Sequence, residues 1–296
     1  MKIDLHADDY AYSLNTSRDI LDCLSCGALD SISIICNTSQ FKECMDLFYT
    51  AIPSFEKLPL LSVHLNLCEG FQSSELLPMS WGQLFLASYS LKRKKYKAIL
   101  KQEIRRQLTE TQNVIERCIA IAKENGVPVK QNGLRIDSHI HTHPIPIVWE
   151  SLIEVIAEDK LEVEYIREPS EPLSVYLKEN SLWPTYDPIN LIKNRILRFY
   201  SHKIHRYLTK QGKTSMYLWG LVMSLHMDFD RIKVLWPAMC QKADHDGRDL
   251  ELLFHPGTAL ESEYTKEMNV KYFKDSNTSK NRGIEKESVL QIKEIK

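Results

Sequence analysis

Short apolar runs rich in β-branched residues alternate along this chain with longer segments of helical period, and that alternation admits few architectures. The runs 2–7 (KIDLHA), 31–36 (SISIIC), 61–67 (LSVHLNL), 133–138 (GLRIDS), 162–167 (EVEYIR) and 250–254 (LELLF) read as strands. Helices are expected near 16–27, 39–50, 95–125, 146–157, 190–208 and 228–243. Strand, helix, strand in repetition is the pattern of a parallel sheet wrapped by helices, an α/β fold. At 296 residues, 43% of them hydrophobic, one large barrel-like domain has core enough to stand alone. Residues 70–92 and 168–213 break the alternation and read as insertions; in a barrel, such segments sit in the loops that contact substrate.

Chemically active residues fall at the ends of these strands. Asp8-Asp9 closes the first, His64 lies in the third, Asp137-Ser-His139-Ile-His141-Thr-His143 follows the fourth, and His255 follows the last. The C-terminal ends of parallel strands share one face, so groups far apart in sequence converge there. Adjacent carboxylates repel unless a cation keeps one ionised as a ligand and leaves the other free as a base. Two imidazoles and one carboxylate leave open coordination positions, as catalytic metal sites do. Taken alone, an Asp-Asp pair more often serves a turn or helix cap, and His64 reads equally well as a satisfied core histidine. If residues 139–143 stay extended, His139, His141 and His143 point to one side, which is costly without a metal, water or ligand there.

Composition narrows the partners. The 38 basic and 39 acidic residues leave a net charge of -1, so neither nucleic acid nor an anionic membrane is expected. The basic run 92–106 reads as the solvated face of a long helix, and 168–213 holds a second basic helix with Arg195, Arg198, Lys203 and Arg206. The odd set of seven cysteines, including Cys23-x-x-Cys26, points to reduced, buried thiols. MKIDLHADDY has no apolar leader, and no run approaches the roughly 18 apolar residues of a membrane span, so a cytoplasmic location is expected.

Several segments together resemble the YdjC-like carbohydrate deacetylases, which include chitooligosaccharide deacetylases. They are Ala7-Asp8-Asp9-Tyr10 with Ser13 and Asn15, Gly27-Ala-Leu-Asp-Ser-Ile-Ser with Asn37, His64-Leu-Asn-Leu with Glu69-Gly70, the segment from Ile136 to Pro144 with its three histidines, Arg167-Glu-Pro-Ser-Glu171, and Glu251-Leu-Leu-Phe-His255-Pro-Gly257. The resemblance spans residues 3–257 and implies a distorted (β/α) TIM-like barrel in a single domain over 1–296. It also implies a divalent ion (Mg2+ or Zn2+), hydrolysis of an N-acetyl group from an amino-sugar or short chitooligosaccharide, and a homodimer. Carried over by position, Asp9, His64 and His139 hold the metal, Asp8 is general base, His255 is general acid, and Arg167 orients Asp8 or contacts substrate. His141, His143, Asp137 and Glu171 fall to supporting or substrate-contacting places. The family usually has Asp-Asp-Phe-Gly where this chain has Tyr10-Ala11, which restricts the turn and is expected to add a hydroxyl near the site. Two other readings share these residues: a non-haem iron oxygenase with a two-His-one-carboxylate triad, and a sugar-binding or regulatory protein without catalysis.

Overall fold

Seven parallel strands form one sheet in the order β5-β4-β3-β2-β1-β7-β6, in a computed structural model that describes residues 1–293. They are β1 (Ile3–Tyr10), β2 (Ser31–Ile34), β3 (Leu60–Leu65), β4 (Leu134–Ser138), β5 (Val163–Ile166), β6 (Met216–Trp219) and β7 (Asp249–Phe254). The sheet curls into a half-barrel flanked by helices, a single α/β domain. Its edge strands approach where Leu218 of β6 donates its N–H to the Ser170 carbonyl just past β5, at 3.1 Å.

Alternation along each strand separates two chemistries. Leu5 and Ala7 of β1, Ile32 and Ile34 of β2, Val63 and Leu65 of β3 and Ile136 of β4 lie in the apolar core. The alternate residues meet inside the curl: Asp4, His6 and Asp8, Ser31 and Ser33, His64, Arg135 and Asp137, Tyr165 and Glu251, all buried. A barrel of this kind is commonly filled with branched apolar side chains. Here a hydrogen-bonded polar network fills it.

The helices in chain order are α1 (Leu14–Ser25), α2 (Phe41–Ala51), α3 (Trp81–Ala87), α4 (Arg93–Glu124), α5 (Pro146–Glu158), α6 (Leu173–Lys178), α7 (Pro188–Lys210), α8 (Phe229–His245), the single turn α9 (Val270–Tyr272) and α10 (Asn281–Ile292). Ser13 caps α1 by accepting the Thr16 N–H, and Asp187 caps α7 by accepting that of Ile189.

Several elements differ from the sequence expectation. β1 runs to Tyr10, three residues past the expected bound of 2–7, so Asp8 and Asp9 lie within its last residues. β6, MYLW, was not expected: it is as short as β2 and β5 but lacks the β-branched residues that mark those two. Segment 70–92 contains α3, and 168–213 contains α6 in addition to α7, which is the basic helix expected near 190–208. The basic run 92–106 starts the long helix α4 and is partly exposed, but it is also paired: Arg93, Lys97, Lys101 and Arg105, four residues apart, meet Glu150, Glu154 and Glu158 of α5 and Asp159 just beyond it. The cysteines are all free thiols, but Cys26 is exposed and Cys68 and Cys240 half-buried; only Cys23, Cys36, Cys44 and Cys118 are buried.

Candidate active site

At the C-terminal end of the sheet lies a pocket of about 880 Å³ whose floor includes Asp8, Asp9, His64, His139, His141 and His255. Register brings β3 and β4 together with His64 opposite Asp137, and β1 and β7 with Ala7 opposite Phe254, so residues 8, 9, 64, 139 and 255 end on one face.

Asp9 occupies left-handed backbone, φ 68°, unusual for a residue with a side chain. Its Oδ1 stands 3.1 Å from His139 Nδ1 and 3.6 Å from His64 Nε2. Each imidazole has a carboxylate behind its other nitrogen: Asp137 Oδ1 at 2.6 Å from His64 Nδ1, and Glu69 Oε1 at 2.8 Å from His139 Nε2. Metal-bound histidines are typically backed in this way. Ligand atoms held about 2.1 Å from one ion sit roughly 3 Å apart, so the donor set Asp9, His64, His139 fits a divalent cation.

Two other acidic clusters, Asp8–His64–Asp137 and His6–Asp137–Glu251, bring potential ligand atoms equally close. A guanidinium already serves both. Arg167, fully buried, donates from Nη1 to Asp8 Oδ2 at 2.9 Å and from Nη2 to Asp8 Oδ1 at 2.8 Å. Its Nη2 also lies 3.0 Å from Asp137 Oδ2, and its Nε donates to Glu251 Oε1 at 2.7 Å. Arg167 takes the carboxylate oxygens that a cation in either cluster would need, whereas the arginine beside Asp9, Arg282, contacts Oδ2 and leaves Oδ1 to face the imidazoles, so the set around Asp9 is the one suited to a metal.

Burial alone would raise these carboxyls, but the charges facing them prevail. Arg167 and His64 hold Asp8 well below the usual carboxylate range, and Arg282 and His139 do the same for Asp9. Against the opposing pull of burial, neighbouring carboxylates lift His64 to about 10 and His139 to about 9. The surplus of negative charge that does this is what a divalent cation would neutralise.

The three histidines of the central cluster do not stay on one side. Residues His139–His141 form a tight turn with Ile140 at φ 46° and His141 at φ 53°, and the rings diverge. His139 faces Asp9; His141 faces the pocket, and its buried Nδ1 has no hydrogen-bond partner among the described residues. His143 folds away: its Nδ1 lies 2.6 Å from Ser138 Oγ and its Nε2 2.8 Å from the Arg167 carbonyl. It props the β5 end and touches no pocket space. Glu171 is likewise absent from the pocket wall. Its carboxylate accepts the N–H groups of Gly220 (2.9 Å) and Val222 (2.8 Å) and the Tyr176 hydroxyl, pinning the loop after β6.

The Tyr10 hydroxyl also turns away from the site, donating to the Cys44 carbonyl at 2.8 Å. Tyr12 takes that side instead, its ring stacked on His139 at 6.1 Å between centroids. Ala11, where the family has glycine, adopts φ 68° and so carries the strain that a glycine would avoid.

Sequence reasoning did not reach the C-terminal helix. Arg282 of α10, fully buried, donates from Nη2 to Asp9 Oδ2 at 2.6 Å, leaving Oδ1 to face the imidazoles. Glu285, one turn on, accepts the His255 backbone N–H at 2.6 Å and lies 3.6 Å from His255 Nδ1. Tyr272 of α9 stands edge-on to His139, 4.8 Å between centroids. An Arg-x-x-Glu at helical spacing was the available signal, but it looks like any surface ion pair until the fold buries it. His6 was missed as well: its Nδ1 lies 2.6 Å from Ser31 Oγ, and its Nε2 2.7 Å from Ser33 Oγ and 3.1 Å from Asp8 Oδ1.

The profile of the YdjC-like protein family matches residues 2–289. The chain belongs to the YdjC-like family. Its fold is that of the carbohydrate deacetylase-like proteins, with buried acidic and histidine groups able to hold a metal. Among solved structures, it is similar to a proposed cellobiose-phosphate cleavage protein of Enterococcus faecalis V583, with 14% identity and a TM-score of 0.54 over 99% of this chain and 92% of that one. At that identity, the likeness speaks for the fold alone. No curated protein matches significantly.

Proposed function

We propose that this YdjC-like protein is a metal-dependent hydrolase that removes N-acetyl groups from amino-sugars or short chitooligosaccharides. The observation that carries the reading is the pair of carboxylate-backed imidazoles, His64 and His139, turned toward one oxygen of Asp9 on the floor of a pocket of about 880 Å³. Two nitrogen donors and one carboxylate suit a transition ion such as Zn2+ better than Mg2+, which prefers oxygen. When bound, the ion would polarise the acetyl oxygen and acidify a water.

The chain's own residues supply the proton transfers. Asp8 takes the proton of the attacking water; Arg167 fixes its orientation through two hydrogen bonds. His255, on the same pocket wall and steadied by Glu285, gives a proton to the departing amine. His141, with an unpaired buried nitrogen facing the pocket, is placed to meet a sugar hydroxyl or the acetyl group. Two variants separate binding from chemistry. Asp8→Asn is expected to keep metal by elemental analysis while acetate release falls about 10²-fold or more; His139→Ala is expected to lose both. Full activity of Asp8→Asn would sink this assignment.

A further inference from the structure

Helix α7 has two apolar faces, and only one is covered. Asn194, Leu197, Ser201, Ile204 and Leu208 are buried against the domain. On the opposite face Ile189, Ile192, Ile196 and Phe199, spaced three, four and three residues apart, are 60%, 60%, 40% and 75% exposed. Trp183, in the turn before the helix, is 52% exposed. Between Pro188 and Lys210 stand six cations, Lys193, Arg195, Arg198, Lys203, Arg206 and Lys210, and no acidic residue. The whole-chain charge balance, which argues against an anionic partner, conceals this local concentration.

We propose that α7 is an interfacial helix that docks the protein on an anionic lipid surface. Its apolar wedge would enter the headgroup boundary while the flanking cations meet the lipid charge, the usual division of labour in such helices. Charge decides between this and a second copy of the chain. Pairing the same face across a two-fold axis would bring the flanking cations of one copy toward those of the other, a costly juxtaposition. No helix among the described residues is long and apolar enough to cross a membrane, so the attachment is peripheral. Asn190, Lys193 and Ile196 of the same helix line the catalytic pocket, so docking brings its mouth to the lipid surface. The inference does not depend on the acetyl-hydrolysing reading.

The test is co-sedimentation of the full chain with vesicles of phosphatidylcholine alone and of phosphatidylcholine mixed with phosphatidylglycerol. Binding to the mixed vesicles is expected to exceed binding to the neutral ones by about tenfold or more and to weaken as salt rises. Arg195→Gln with Arg198→Gln, and separately Ile192→Ser with Phe199→Ser, should each cut it by roughly tenfold. These four side chains lie outside the pocket, so melting temperature and acetate release from soluble sugars should not change. Equal binding to both vesicle types, or binding that survives both double variants, would overturn the inference. So would a dimer by light scattering that Phe199→Ser dissolves, since it would assign the face to a second copy.

Discussion

At the residue scale, the site rests on backbone that few side chains adopt. Asp9 and Ala11 sit in left-handed conformation on either side of Tyr10, and this bend aims Asp9 at the imidazoles while sending the Tyr10 hydroxyl into the core. Ala11→Gly relieves strain worth about 1–2 kcal/mol and forfeits a buried methyl worth about 0.8 kcal/mol. Denaturant titration should therefore find the variant unchanged or up to about 1 kcal/mol more stable; a clear loss would mean that the Ala11 methyl packs better than its φ suggests. Arg282 invites a second substitution. Arg282→Lys keeps the charge but loses the planar guanidinium that bonds the Ser276 carbonyl through Nε and Asp9 Oδ2 through Nη2, and metal affinity measured by competition with a chelator should drop about 10- to 100-fold. The positions of Asp8, Asp9, His64, His139 and His255 were legible in the sequence because rare residues stood at strand ends. Arg282, Glu285 and His6 were not, because nothing local distinguishes a buried Arg or a strand histidine before the strands are assembled.

At the element scale, the parallel strands and principal helices follow from periodicity and residue type, and the errors fall where the residues do not show the pattern. β6 lacks the β-branched residues of the equally short β2 and β5, and α10 turns Arg282, Glu285 and Ser288 inward, so its buried face reads as polar. The charge run at the start of α4 shows another limit. Its spacing of four is visible in sequence, as is that of Glu150, Glu154 and Glu158 on α5, but the pairing between helices is tertiary. These ion pairs are partly exposed, so each contributes little and salt weakens it. Lys97→Met, which breaks one rung, should lower the melting temperature only slightly at low salt, and the difference should vanish at high salt. A large loss that persists in salt would show that packing of the lysine stem matters more than its charge.

At the scale of the whole molecule, the polar interior couples stability to pH. Burial pushes His143 down to about 4 and holds His141 well below its ordinary value, so both are neutral in the fold and protonate on unfolding. Their contribution is complete above about pH 6.5 and is lost as pH falls toward 4. Glu171, pushed up to about 7 by burial, acts in the opposite sense, with stability present below about pH 4.5 and lost as pH rises through 7. Two imidazoles against one carboxyl leave a net uptake of about one proton on unfolding near pH 5. Urea titrations of chelator-treated protein should show stability rising with pH between 4.5 and 5.5, by about 1 kcal/mol; a fall would contradict the burial of these rings. The central claim has a more direct test: acetate released from N-acetylglucosamine oligomers by zinc-loaded protein, before and after chelation. The geometry around Asp9 predicts release that chelation abolishes and zinc restores, and release indifferent to the chelator, or none from metal-loaded protein, would contradict it.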